Sequence, residues 1–161
     1  KLMRLVLQNS QHQKVVLQKD LDALIKYVEL EQIRFQHHFI FNLKIDDSLN
    51  TDEILIPPLI IQPFVENAIL HGLKPLQSKG ILDLSFKLAG TELLIIIEDN
   101  GVGRSEKQES KADHKSFGSS ATVERIQRIK SSTVSYNDLK DASGNATGTR
   151  VFITLPVERM S

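Results

Sequence analysis

A change of hydrophobic period constrains this chain more than any other feature. Leu17, Leu21, Leu24, Ile25 and Val28 recur at spacings of four, three, one and three, one buried helix face running to about Phe35. From Phe39 the period becomes two. Phe39, Phe41, Leu43 and Ile45 alternate with Ile40, Asn42 and Lys44, so a half-buried strand follows the helix directly. A chain that must bury helical stripes and strand faces together folds in layers, and 161 residues suffice for one such domain with a real core.

The same reading extends along the chain. Leu2 to Leu7 reads as a short helix, and Asp46 to Glu53 as a loop. Pro57-Pro58 introduces Leu59 to Gly72, whose second half is helical, with Phe64, Val65, Ala68 and Ile69 as its buried stripe. Pro63 must lie in a first turn or at a kink, and Gly72 reads as a terminator just past the helix end. Ile81 to Leu88 alternates and predicts a second strand. Leu93 to Ile97 is apolar at every position, which predicts a central strand covered on both faces. Arg104 to Ser116 is almost wholly polar and reads as a mobile loop, followed by a helix over Ser120 to Lys130. Strands near Thr133 to Tyr136 and Thr149 to Leu155, joined by the polar Asn137 to Gly148, complete the chain. The order predicts an α+β fold, a two-layer sandwich with helices on one face of a mixed, mostly antiparallel sheet.

Charge and composition remove several function classes. Twenty basic residues balance twenty acidic ones, so the chain lacks the electrostatic footprint of a nucleic-acid binder. The absence of cysteine excludes disulfides, thiolate metal sites and cysteine nucleophiles. No apolar run approaches the ~20 residues of a membrane span. The chain opens at Lys1 and not at a methionine, which reads as a segment of a longer protein.

Three polar and glycine clusters stand out: Glu66-Asn67-Ala68 on a helix, Asp99-x-Gly101-x-Gly103 after a strand, and Gly148-Thr149 opening the last strand. Taken singly, each also reads as a solvated residue or a tight turn. Together they suit one task. Gly101 and Gly103 let backbone approach a flat base or a phosphate. Asp99 can accept a hydrogen bond from an exocyclic amine, and Asn67 offers a neutral oxygen suited to Mg²⁺ that keeps its waters and substrate phosphates.

In this order and spacing the clusters resemble the N, G1 and G2 boxes of the GHKL ATPase superfamily. The likeness is to its LytS-type sensor histidine kinases. It is carried by Leu24-x-x-Tyr27-x-x-Leu30-Glu31-x-x-Arg34-Phe35 and by Gln62-Pro63-Phe64-Val65-Glu66-Asn67-Ala68-Ile69-Leu70-His71-Gly72. Asp99-Asn100-Gly101-Val102-Gly103, Glu124-Arg125-Ile126 and Gly148-Thr149 extend it over nearly the whole chain. The resemblance implies a Bergerat fold that binds ATP with Mg²⁺, the metal on Asn67 with Glu66 assisting. It implies adenine recognition by Asp99 with Thr149 nearby, backbone approach at Gly101, Gly103, Gly118 and Gly148, and a lid over Arg104 to Phe117. It further implies that residues 17–161 are the catalytic domain and residues 1–16 the end of a preceding dimerisation and phosphoacceptor region. The implied partners are that upstream helix and a cognate response regulator. The full-length protein would be a homodimeric inner-membrane sensor, with this domain on the cytoplasmic side.

The chain also departs from the family pattern. Leu70 stands where many such kinases carry a Lys or Arg, which leaves His71 or Lys74 as the phosphate contact. After the lid, Ser116-Phe117-Gly118-Ser119-Ser120-Ala121-Thr122-Val123-Glu124-Arg125 lacks the family's first glycine, leucine and asparagine. His38-Phe39-Ile40-Phe41-Asn42 mimics the phosphoacceptor motif, but its period of two puts His38 on a strand and not on the acceptor helix. Two other functions compete with the kinase. A GHKL ATPase driving conformational change would need a general-base Glu where Pro63 stands, and Pro cannot take a proton. A degenerate interaction module without nucleotide is motivated by the altered post-lid segment.

Overall fold

The computed structural model describes residues 13–104 and 117–161. The helix expected at Leu2 to Leu7 and nearly all of the polar loop after Arg104 lie outside them. Val15–Val16 (β1) leads into helix α1, Leu17–Arg34, and pairs antiparallel with Leu55–Ile56 (β3) in a small two-stranded sheet. The main sheet contains Phe39–Ile45 (β2), Gly80–Ala89 (β4), Glu92–Asp99 (β5), Thr133–Lys140 (β6) and Ala146–Pro156 (β7). Its spatial order is β2-β4-β5-β7-β6, with only the β2–β4 pair parallel. Helices α2, Gln62–Asn67, and α3, Phe117–Gln127, complete the set.

The core is built by the period-two positions facing the helices. Leu82, Leu84 and Phe86 of β4, Leu93, Ile95 and Ile97 of β5, and Ile153 and Leu155 of β7 join Leu17, Leu21, Leu24 and Val28 of α1 in one buried cluster. Removing a side chain such as Phe86, which is fully buried, costs about 3–5 kcal/mol by transfer and cavity terms. Helix α1 ends as predicted, because Gln36 and His37 both take left-handed backbone, at φ 53° and 58°. The His38 ring then bonds through Nε2 to the Leu76 carbonyl at 2.7 Å, one residue before β2 begins.

Four expectations need correction. Strand β5 is central, but Leu94, Ile96 and Glu98 are only half-buried, because helices cover one face of the sheet alone. Gly72 does not terminate a helix. It lies inside a π-helical continuation of α2, Ala68–Leu73. The last hairpin is tighter than expected, because β6 runs on to Lys140 and β7 starts at Ala146. Its turn is closed by the Asp141 carboxylate, which accepts from the Ser143 and Asn145 amides at 2.9 Å each. Helix α3 ends at Gln127, where Ser132 donates from Oγ to the Ile129 carbonyl at 2.5 Å and also to that of Ile126.

Candidate functional site

Asp99 is the last residue of β5, and the register sets it opposite Thr149 of β7 and Leu82 of β4. It is 5% exposed, one of few buried polar residues among those described. Two backbone amides hold its carboxylate: Gly101 donates to Oδ1 at 2.9 Å, and Thr149 donates as well. Burial outweighs these bonds, with a smaller push from Glu98, and raises the Asp99 pKa to about 6. The carboxylate therefore remains largely ionised at neutral pH while sitting in a dry corner.

That corner is closed by backbone packing. A Cβ on Gly101 would run into the Gly72 backbone, and one on Gly148, at φ 143°, into the backbone of Asp99 itself. A Cβ on Gly72 would stand 2.7 Å from Asp99 Oδ1, so no larger residue fits against the carboxylate. The Val102 amide donates to the Gly72 carbonyl at 3.0 Å, tying the turn after β5 to the π-helical segment. Four predicted site residues, Asp99, Gly101, Gly148 and Thr149, thus meet in one place. Gly72, read from sequence as a terminator, is the fifth member, and the only sequence sign of it was its place in the Asn67 string. Gly103 follows at φ 77° against Ala146.

The other expected residues are arranged around this corner. Glu66 and Asn67 are half-buried at the end of α2, and Gln62 donates to Glu66 Oε1 at 3.1 Å. His71 is exposed on the π-helical stretch. Lys74 is exposed too, with Nζ 5.9 Å from the centre of the Phe35 ring. Gly118 falls in the first turn of α3, and its surroundings lie outside the described residues. Burial, together with the carboxylates of Glu31 and Glu66, pushes the Tyr27 hydroxyl pKa up. On the far face of the sheet, Lys44, Asp83, Glu98 and Arg150 rim a shallow depression of about 220 Å³ over Ile96 and Phe152.

The donor set fits a nucleotide. Asp99 is a buried acceptor of the kind that takes a hydrogen bond from an amine, and the glycines let the surrounding backbone close against it. No group of three or more acidic or histidine side chains could hold a metal among the described residues. Asn67 would therefore need phosphate and water to complete the shell of a magnesium ion.

The fold is the one seen in histidine kinase catalytic domains. The Acinetobacter baumannii histidine kinase AdeS superimposes with a TM-score of 0.65 at 14% identity, covering 91% of this chain and 67% of that one. Histidine kinase ThkA, in a structure with the response regulator protein TrrA, gives a TM-score of 0.63 at 12% identity over 91% of this chain and 42% of ThkA. Sequence likeness narrows the comparison, since the chain is similar to LytS sensor proteins. Sensor protein LytS of Oceanobacillus iheyensis is 39% identical over 105 residues, 65% of this chain. Sensor histidine kinase/phosphatase LytS of Staphylococcus aureus is 29% identical over 159 residues, 95% of the chain. The matches span 18% and 27% of those two proteins. No family model matches. No helix among the described residues is long and apolar enough to cross a membrane.

Proposed function

We propose that this chain is the ATP-binding catalytic domain of a sensor histidine kinase, presenting MgATP to a histidine outside residues 1–161. The observation that carries this reading is the buried Asp99 at the end of β5, its carboxylate held by two backbone amides and closely packed by Gly72, Gly101 and Gly148. Its carboxylate accepts the adenine amine, and the close backbone packing around it holds the acceptor in place. Thr149 holds the carboxylate in place through its amide. Asn67 and Glu66, farther along the same helical segment, face the phosphates and would hold magnesium, which supplies charge neutralisation for the transferred phosphoryl group. Gly103 and Gly118 flank the segment assigned as the lid, whereas His71 and Lys74 flank Gly72, at the base end of the helical segment and away from the phosphates.

The domain boundary expected at residue 17 lies a little earlier, because Val15 and Val16 form β1 on β3 within this domain; the residues before them end the preceding dimerisation and phosphoacceptor region. The acceptor helix, a homodimeric partner and a response regulator complete the system, in a protein anchored in the inner membrane with this domain on the cytoplasmic side. His38 is not the acceptor, since its ring is tied to the Leu76 carbonyl. The reading is tested by titration calorimetry with ADP and Mg²⁺. Binding with adenine preference over guanine is expected, and no heat at millimolar nucleotide would defeat it. Incubation with γ-labelled ATP should leave the 161-residue chain unlabelled, whereas a chain extended upstream should gain acid-labile phosphate on its histidine.

A further inference from the structure

Arg104 follows Gly103 directly, and its guanidinium is held from two sides. Nε donates to Asp138 Oδ1 at 2.9 Å and Nη2 to Oδ2 at 3.2 Å, while its carbon lies 4.6 Å from the centre of the Tyr136 ring. Tyr136 in turn meets Phe64 of α2, with ring centres 6.4 Å apart. This cluster lies on the side of the sheet that carries the site. Asp138 is opposite Thr149, and Thr149 is opposite Asp99, so the three side chains form one row across β6, β7 and β5 on the same face. With strands ~4.8 Å apart, Asp138 stands about 10 Å from Asp99.

The helical segment above the sheet runs along the same line. Its Gly72 end rests on Asp99 and its Phe64 end on Tyr136, with Asn67 between them. A ligand with its base at Asp99 and its charged end toward Asn67 therefore extends toward Arg104. Asp138 occupies the Nε–Nη2 edge and Tyr136 one face, which among the described residues leaves the Nη1 donors without a partner and the cation fixed in direction.

We propose that Arg104 is a phosphate-binding residue of this site, contacting the polyphosphate of an adenine nucleotide and prepositioned by Asp138 and Tyr136. This rests on the nucleotide-binding reading above. Such a contact adds affinity only for the charged part of the ligand. Adenosine, which carries the base and no phosphate, separates it from a general effect on the fold.

The test compares MgADP and adenosine binding to the 161-residue chain and to Arg104→Ala, by NMR titration. Arg104→Gln is the second variant, because its amide can still donate to Asp138 and hold the strand. Loss of a charge-assisted contact should weaken MgADP by about tenfold or more in both variants and leave adenosine within about twofold. Unchanged MgADP affinity, or equal losses for the two ligands, would overturn the assignment and leave the nucleotide reading standing. An unsubstituted chain that binds neither ligand would sink both.

Discussion

The two ends of the proposed cleft are built from different materials. At Asp99 the geometry is made by backbone: two amides on a carboxylate, and glycines packed too closely to accept a Cβ. At Arg104 it is made by side chains, a guanidinium over a ring and against a carboxylate, with the ion pair 35% and 40% exposed. Backbone packing has few alternatives and costs much to disturb. A half-exposed ion pair is screened by salt and replaceable, and contributes little to stability on its own. The base end is thus suited to fixed recognition of one ring, and the other end to electrostatics that can adjust to phosphate.

The largest effect should come from breaking the backbone end. Gly101→Ala puts a methyl into the Gly72 backbone, where no flexible side chain can move aside. We expect a loss of about 3 kcal/mol or more, of the kind overpacking produces at its upper limit, visible as a fall in thermal midpoint. Arg104→Ala should cost less than about 1 kcal/mol of stability and lower the midpoint correspondingly less. Comparable losses in the two variants would remove the contrast.

Asp99→Asn sharpens the comparison by separating binding from stability. In the folded chain the Asp99 pKa is raised to about 6 from its ordinary value of 3.8. Between those values the folded state holds a proton that the unfolded chain has released, so stability falls as pH rises through that window. The cost of the buried charge is complete above about pH 6. The amide removes that cost, and above this pH the variant should gain on the order of 1–3 kcal/mol in denaturant unfolding. It should also lose about 1–3 kcal/mol of ADP affinity and some preference for adenine over guanine. A variant that binds normally would reduce Asp99 to a turn residue.

What the sequence disclosed follows the same division. Strands β2 and β4 and helix α1 were legible because alternation or helical spacing over many residues overrides local noise. Asp99, Gly101, Gly148 and Thr149 were legible because a carboxylate and glycines at a strand end are local signals. The second half of β6 was not, since Asn137, Asp138 and Lys140 are exposed polar residues of an edge strand and Leu139 alone makes no apolar period. The π-helical turn was hidden because six residues are too few to reveal a new period. Two-residue strands β1 and β3 leave no pattern at all. Arg104 and Asp138 were invisible as a pair because they lie 34 residues apart and only the hairpin register brings them together.

A weaker test is the pH profile of binding. If the ionised carboxylate accepts the adenine amine, ADP affinity should be constant above about pH 6 and fall as Asp99 takes up its proton. The slope should approach tenfold per pH unit, the value for one proton. Arg104→Ala should lower the whole curve without moving its bend, because the bend belongs to the base end. A bend that shifts with Arg104 would mean the two ends titrate as one site.

The smallest effect comes from the open face of the sheet. Glu98 precedes Asp99 and so points away from the site, where its carboxylate pairs with Arg150 through Nε at 2.6 Å. Its charge nonetheless contributes to the rise in the Asp99 pKa, as the last of several causes. Glu98→Gln removes that repulsion and leaves the Arg150 cation less neutralised. Both changes favour the ionised form of Asp99. The bend in the ADP profile should therefore move to lower pH by a fraction of a unit, with affinity at pH 8 unchanged. A shift to higher pH, or a loss of affinity at pH 8, would show that the pair supports the base end through the strand and not through charge.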